Sequence, residues 1–355
     1  MRPLLLFLLS AGLAFAQLGQ ATGDEFTILA FHDVHYNDAA GVWQNSVNWL
    51  LGASGRGPGG VSGISYYNIK SINGVGDYDS PCTGAGSACD IAWGGFKSIW
   101  DTLYAGYSAL GIKGIWTQGN HDTYGYAFGS MAGVSVGANP SWQSTTLDVS
   151  GTSQGTIRLG IVGVGVGDYM ASGQPARAFV DGVIAGSDAH RQWMFLRHVG
   201  PAEPYGDYTP RVTPPCGDPA TNACTSNVGI WCDACAGWGG TNSALSLLSD
   251  FFYTVTRVFW FATGHYSYGA AMVQVTANDG HLISGIGNNG NDGAEGHVTM
   301  FKFQPASSHV QIAHYTIGVA GTPAGALVGS VQTVAWAVEG TAASGLLWSP
   351  CPVGR

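Results

Sequence analysis

The stretch IKGIWTQGNHD, residues 112–122, decides how the chain is read. Its first part, residues 112–117, is an apolar run of the length of a buried strand. Its end is Gly119, Asn120, His121 and Asp122. Gly and Asn punctuate turns, and Asp tolerates left-handed geometry, so a plain turn is one reading. The other is a site at a strand end, where the Asn120 amide oxygen binds a metal and the His121 imidazole faces a substrate. Just upstream, Phe96, Ile99, Trp100, Leu103, Tyr104, Tyr107 and Leu110 recur at threes and fours, which predicts an amphipathic helix leading into the strand.

Working outward, residues 26–31 (FTILAF) predict the first core strand. Trp43, Val47, Leu50 and Leu51 predict a helix over 42–51, with Trp43, Trp49 and Trp100 read as packing residues. Residues 64–72 predict a second strand and 156–164 another. Residues 243–252 read as helix, 258–263 as strand, and 281–287, 297–303 and 309–317 as consecutive strands. Residues 200–242 hold Pro, Gly, Cys and Asn without periodicity, which predicts a long disulfide-pinned loop. Strands alternate with helices early and cluster late, so the expected architecture is a layered α/β fold. In such folds ligands gather at the carboxyl ends of strands.

The first 16 residues carry Arg2, an apolar run and Ala14-Phe15-Ala16, the pattern of a signal peptide cleaved before Gln17. The competing reading is an N-terminal membrane anchor, for which the run is short. Residues 17–318 then form the folded domain, and 319–355, rich in Gly, Ala, Thr and Pro, a weakly specified tail. The formal charge is −9 for the chain and −10 once Arg2 is removed. That acidity argues against a nucleic-acid partner, and no later segment reads as a membrane span. All seven cysteines follow the signal segment, so the expectation is a secreted protein with disulfides. Cys82 and Cys89 suit a local loop. Cys216, Cys224, Cys232 and Cys235 allow three pairings or a four-cysteine zinc site, and Cys351 is left over.

Four polar clusters fall at predicted strand ends. Asp33 and His35 are two apart, so in extended chain both face one side and can hold one ion. Asp77 follows Gly76, and its two carboxylate oxygens can bridge two ions. Asn120 offers a neutral oxygen, and His265, after Gly264, an imidazole. Oxygen and imidazole together suit Zn, Fe or Mn rather than Ca. Two such ions roughly 3.5–4 Å apart bind a phosphoryl group and activate a water for in-line attack. His121 is placed to protonate the leaving alcohol.

These motifs resemble those of the calcineurin-like metallophosphoesterases, and within them the secreted acid phosphatases of the purple, tartrate-resistant type. The matching strings are FHDVHYND, GVGDYDS, IWTQGNHDTYG, QWMFL, ATGHYS and LISGIGN, spread over residues 26–317. The resemblance implies a four-layer α/β/β/α sandwich with two mixed β-sheets and a centre of two divalent or trivalent ions, Fe, Zn or Mn. It implies a phosphate-ester hydrolase acting on a small phosphate ester. Asp33 and His35 would bind metal one, Asp77 would bridge, and Asn120 and His265 would bind metal two.

The chain departs from the family pattern in three places. The second histidine of Gly-His-x-His is Ser267 here, which removes a ligand from metal one. GHYSYG also resembles the family's other, single-histidine motif; with His265 placed in Gly-His-x-His instead, the best candidate for that other histidine is His198, after QWMFLR, while the leading reading of His190 and His198 is as surface residues of a helix. The purple enzymes carry a tyrosine ligand three residues after the bridging aspartate, where this chain has Ser80. Two further readings stand beside the phosphomonoesterase. One is a phosphodiesterase similar to the acid sphingomyelinases, which carry a string like GDYDSPC. The other is a degenerate module that lost a metal with the histidine at 267. Asp122 reads as a turn cap, and NNGN at 288–291 as a loop, substrate-contacting in the sharper reading. With His35 in place of the tyrosine ligand, metal-loaded protein is expected to be colourless. An intense visible phenolate band in its absorption spectrum would contradict the ligand assignment.

Overall fold

A computed structural model describes residues 18–32, 34, 36–78, 87–119, 122, 131–134, 139, 141–165, 168, 170, 172–198, 251–252, 254–263, 271–279, 281–287, 296–317 and 326–336. Two six-stranded mixed sheets form its centre. The first has the order β12-β11-β10-β1-β2-β3, from β1 (Phe26–His32), β2 (Ile69–Val75), β3 (Trp116–Thr117), β10 (Gly296–Gln304), β11 (His309–Ile317) and β12 (Ala326–Ala335). The second has the order β4-β5-β6-β7-β9-β8, from β4 (Gln143–Thr152), β5 (Gly155–Gly163), β6 (Gln192–Leu196), β7 (Val258–Ala262), β8 (Ala271–Thr276) and β9 (Leu282–Gly287). In the first sheet β1, β2 and β3 run parallel, while β1, β10, β11 and β12 pair antiparallel. In the second, β5, β6, β7 and β9 run parallel between two antiparallel edges.

Side-chain alternation along each strand makes the layers. Phe26, Ile28 and Ala30 of β1 meet Met194 and Leu196 of β6, Trp260 of β7, and Phe301 and Phe303 of β10 in one apolar layer shared by the two sheets. Leu29 and Phe31 point the other way, into a cluster with α1 (Tyr36–Leu51) and α3 (Ser87–Tyr107). On the second sheet Trp193 and Phe195 turn outward to Val180 and Ile184 of α4 (Pro175–Ala185). The result is helix, sheet, sheet, helix, the four-layer sandwich. β1 is buried along its whole length because helices cover one face and the other sheet covers the opposite one.

Several elements differ from the sequence reading. The span 64–72 divides into a four-residue helix, α2 (Gly63–Tyr66), and β2, with Asn68 at φ 48° between them. The predicted strand 112–117 contributes only two ladder residues, preceded by an isolated bridge from Lys113 to Ser71. QWMFL is a strand rather than part of a helix, since apolar residues on both faces of a central strand show no alternation. β4, β8 and α4 had no counterpart in the reading. Neither did β12, which lies in the Gly-, Ala- and Thr-rich stretch after 318 and sends Val334 into the shared apolar layer, with Trp336 just beyond it. Residues 200–242, the predicted helical turn at 243–250, and 337–355 lie outside the described residues.

Phe303 ties the two sheets together. Its ring stacks on Phe26 at 4.9 Å and meets Trp260 at 5.0 Å and Trp336 at 5.2 Å edge-on. Phe303→Ala is expected to lower unfolding free energy by about 3–5 kcal/mol in urea titration. A change under about 1 kcal/mol would mean that the shared layer does not hold the sheets together.

Candidate metal centre

The carboxyl ends of β2, β3 and β6 converge where the shared apolar layer stops at Val75 and Leu196. Beyond Val75 the chain turns through Gly76 at φ 95° and Asp77 at φ 53°. A Cβ on Gly76 would lie 2.6 Å from the Gly119 Cα and 2.8 Å from the His198 ring, so glycine is required there twice over, by conformation and by contact. Gly119 is as closely placed: its Cβ would fall 2.1 Å from Asp77 Oδ1 and 2.3 Å from the Asp77 nitrogen. The backbone of the β3 loop therefore lies directly against the Asp77 carboxylate. Asp is one of the few side chains that accept the left-handed conformation found at position 77.

His198 follows β6 and is fully buried, which corrects the reading of it as a surface residue of a helix. His190 is exposed, in the turn before β6 rather than on a helix. The Nδ1 of His198 lies 2.9 Å from the Val75 carbonyl oxygen, and Nε2 lies 3.0 Å from Asp77 Oδ2. A carbonyl only accepts, so Nδ1 carries the proton. In the neutral imidazole the Nε2 lone pair then faces a carboxylate oxygen, an arrangement that needs a proton between them, on Nε2 or on the Asp77 carboxyl, or a metal ion. Two ligands about 2.1 Å from one ion and at right angles to it stand about 3.0 Å apart. A ring nitrogen fixed by a backbone carbonyl is the usual device for orienting a metal-binding histidine. The donor pair thus fits a transition-metal ion.

Asp122 fastens the loops. Its Oδ2 accepts hydrogen bonds from the Asp77 and Gly119 amides, both at 2.8 Å, and its Oδ1 accepts one from the Tyr78 amide at 3.0 Å. The turn-cap reading of Asp122 was too local, because the carboxylate joins the β2 loop to the β3 loop. Burial, with the neighbouring charge of Asp77 in second place, pushes its pKa up to about 7. The Tyr78 carbonyl in turn accepts the Tyr36 amide at 3.0 Å, bringing the start of α1 to the same place. The Tyr78 hydroxyl donates to the Thr117 carbonyl at 2.7 Å and accepts from the Gly76 amide at 3.0 Å. Burial drives its pKa well above the ordinary value, so the phenol stays protonated and serves as a wall of the site.

Of the residues singled out in the sequence, Asp77 and His198 come together. Asp33, His35, Asn120, His121 and His265 lie outside the described residues, as do Ser80, Ser267 and residues 288–291. Six of the seven cysteines also lie outside them, and the side chain of Cys89, within α3, is not described. Among the described residues, no group of three or more His, Cys, Asp and Glu is arranged to hold a metal. Sequence reasoning missed a second polar feature of the inner layer. His32 Nε2 lies 2.8 Å from Thr299 Oγ1, which lies 3.1 Å from His314 Nδ1, and His314 Nε2 lies 2.8 Å from His297 Nδ1. Burial, then the charges of His297 and His32, hold the His314 pKa well below its ordinary value. The signal was available as strand parity, which puts positions 32, 297, 299 and 314 on the face shared with Phe303.

No protein-family model matches the chain, and no curated protein matches it. Among solved structures it is similar to a dimetal phosphatase from Danio rerio, at 12% identity and a TM-score of 0.42, over 88% of this chain and 99% of that one. It is also similar to the calcineurin-like phosphoesterase YfkN from Bacillus subtilis, at 11% identity and a TM-score of 0.40, over 89% of this chain and 91% of that one.

Asp122→Asn replaces an acceptor with a group whose NH2 confronts backbone donors. It is expected to lower unfolding free energy by ~2–4 kcal/mol, read by urea denaturation, since each buried donor left unmatched costs ~1–3 kcal/mol. A second expectation concerns pH. A carboxyl group raised from 3.8 in the unfolded chain to about 7 in the fold stabilises metal-free protein below pH 4 and withdraws that stability as pH rises through 7. A cation on Asp77 opposes the shift. The melting-temperature gap between metal-loaded and chelator-treated protein should widen from pH 5 to pH 8. A gap independent of pH would remove Asp122 from the linkage.

Proposed function

We propose that the protein is an exported, metal-dependent phosphomonoesterase of the calcineurin-like type. The observation that carries the reading is the His198–Asp77 contact, in which a ring held by a backbone carbonyl turns its second nitrogen toward a buried carboxylate. It is supported by the strings that carry Asp33, His35, Asn120 and His265, each at a strand end in the sequence. In this reading Asp33 and His35 would hold one ion, Asn120 and His265 the other, Asp77 would serve both, and His198 would complete the ligand set. Fe, Zn and Mn suit that mixture of oxygen and imidazole ligands. The two ions would supply charge to the phosphoryl oxygens and lower the pKa of the attacking water.

The protein's own groups do the rest. The Val75 carbonyl keeps the proton of His198 on Nδ1. Asp122 fixes the amides of Asp77, Tyr78 and Gly119 ahead of any substrate. His121 hands a proton to the leaving alcohol oxygen. With Ser267 in place of the family's second histidine, metal one would have one protein ligand fewer. The leader of residues 1–16 directs export, and the cysteines then form disulfides. Among the described residues no helix is long and apolar enough to cross a membrane.

The test compares p-nitrophenyl phosphate with bis(p-nitrophenyl) phosphate as substrates of metal-loaded protein. The monoester should be hydrolysed faster, and Asp77→Asn should lower kcat/KM at least ~100-fold with the fold intact by circular dichroism. Preference for the diester would favour the phosphodiesterase reading. No turnover of either, with Asp77→Asn behaving as wild type, would leave the non-catalytic module.

A further inference from the structure

We propose that residues 18–21 form a strap, latched by the Lys302 ammonium, that swings away from the fold as a unit and uncovers the Tyr315 hydroxyl while both sheets stay intact. The strap precedes β1 and lies at the end of that strand opposite the candidate metal centre, seven residues or roughly 20 Å away along the strand. It stands whether or not the phosphomonoesterase reading does.

Lys302 of β10 is buried, a position that lysine rarely takes unless it is paired. Its ammonium has three donors and no acceptor. One donor goes to Glu25 Oε2 at 2.9 Å, and the other two go to the carbonyl oxygens of Gly19 and Gln20, each at 3.1 Å. Glu25 is the fixed base of this latch. Its backbone carbonyl accepts from Asn68 Nδ2 at 2.7 Å, and its Oε1 accepts from Gln304 Nε2 at 2.7 Å. Burial works to raise the Glu25 pKa, but the hydrogen bonds from Lys302, the Thr22 amide and Gln304 hold it below its ordinary value, so the group is a carboxylate at neutral pH. The base holds the ammonium, and the ammonium holds the strap.

The strap's other attachments are few. Of residues 18–21 only Leu18 is buried; Ala21 is half-buried, and Gly19 and Gln20 are exposed. The segment joins no ladder, since β1 begins at Phe26. The Leu18 amide donates to the Tyr315 hydroxyl at 2.7 Å, and the Ala21 amide donates to the Tyr66 carbonyl at 2.9 Å. Thr22 belongs to the base, because its amide and hydroxyl both donate to Glu25 Oε2, at 2.9 and 3.3 Å. Asp24 belongs to it as well, with Oδ2 accepting the Ser153 amide at the β4–β5 turn at 2.6 Å. A segment with one buried apolar anchor and mostly exposed backbone opens at a lower free energy than the whole fold. Beneath the strap Tyr315 is buried, and burial pushes its hydroxyl pKa up to about 12. The Leu18 amide bonded to that hydroxyl makes the strap part of its cover.

The experiment is residue-resolved hydrogen exchange of the protein, paired with tetranitromethane labelling of its tyrosines read by mass spectrometry. In wild type the Leu18 and Ala21 amides should exchange faster than the ladder amides of β1. Lys302→Met keeps a side chain of similar length and loses the charge. It should speed exchange at Leu18 and Ala21 together by roughly 10–100-fold, the scale of lost hydrogen bonds from a charged donor. Nitration of Tyr315 should rise with it, and exchange in β5, β6 and β7 should stay as in wild type. Equal exchange rates for the strap and β1 in wild type would mean that residues 18–21 open only with the whole fold, which overturns the inference. Lys302→Met that speeds exchange in every element alike, or that leaves Leu18 and Ala21 at their wild-type rates, overturns it too. If Lys302→Met fails to fold, Glu25→Gln decides beside the wild-type comparison, since it removes the carboxylate that holds the ammonium. Faster exchange confined to the strap and its base then supports the latch, and unchanged exchange at Leu18 and Ala21 overturns it.

Discussion

The Asp77 carboxylate and the His198 imidazole come from different sheets and meet at 3.0 Å, both shielded from water. Most of the local structure exists to make that approach feasible. A buried carboxylate needs a cation or a dense set of donors. Here the neighbouring carboxylate of Asp122 accepts the amides of Asp77, Gly119 and Tyr78, while the Asp77 carboxylate meets the His198 ring. The glycines at 76 and 119 are the steric condition, because any side chain at either would push the loops apart. The same contact therefore fixes a conformation, a pair of residue types and a charge balance.

The layers behind the site back its described residues with aromatic rings. Tyr78 stacks on Phe96 at 5.1 Å, and Trp100 meets Trp116 at 4.3 Å, so the β2 and β3 loops are backed by aromatic rings anchored in α3. The apolar layer shared by the sheets ends in the His32, Thr299, His314 and His297 chain rather than in open solvent. Burial keeps His314 in that chain uncharged, its pKa well below the ordinary value. The strand that ends in His32 is the one that leads into Asp33.

What could be read from the letters followed the physics of each element. β1, α3, β10 and β11 were legible because each has a clear period or an uninterrupted apolar run. QWMFL looked helical since a strand buried on both faces carries no alternation, and this concealed the burial of His198. The helix of four residues before β2 was too short to show a stripe. β12 is held by its neighbour and by Val334 more than by its own composition, so a stretch of small residues hid it. At the site, Gly76-Asp77 and Gly119 were visible as motifs. The role of Asp122 was not, because it acts on backbone amides that only the folded β2 and β3 ends bring within reach.

Anomalous-difference density at the manganese edge, from crystals grown with Mn2+, tests the central claim most directly. The account predicts two peaks roughly 3.5–4 Å apart. Asp77 should contribute an oxygen to both, and His198 Nε2 should lie within coordination distance of one. Density empty of peaks there, with Nε2 still hydrogen-bonded to Asp77 Oδ2, would make the pair a buried ion pair and contradict the account.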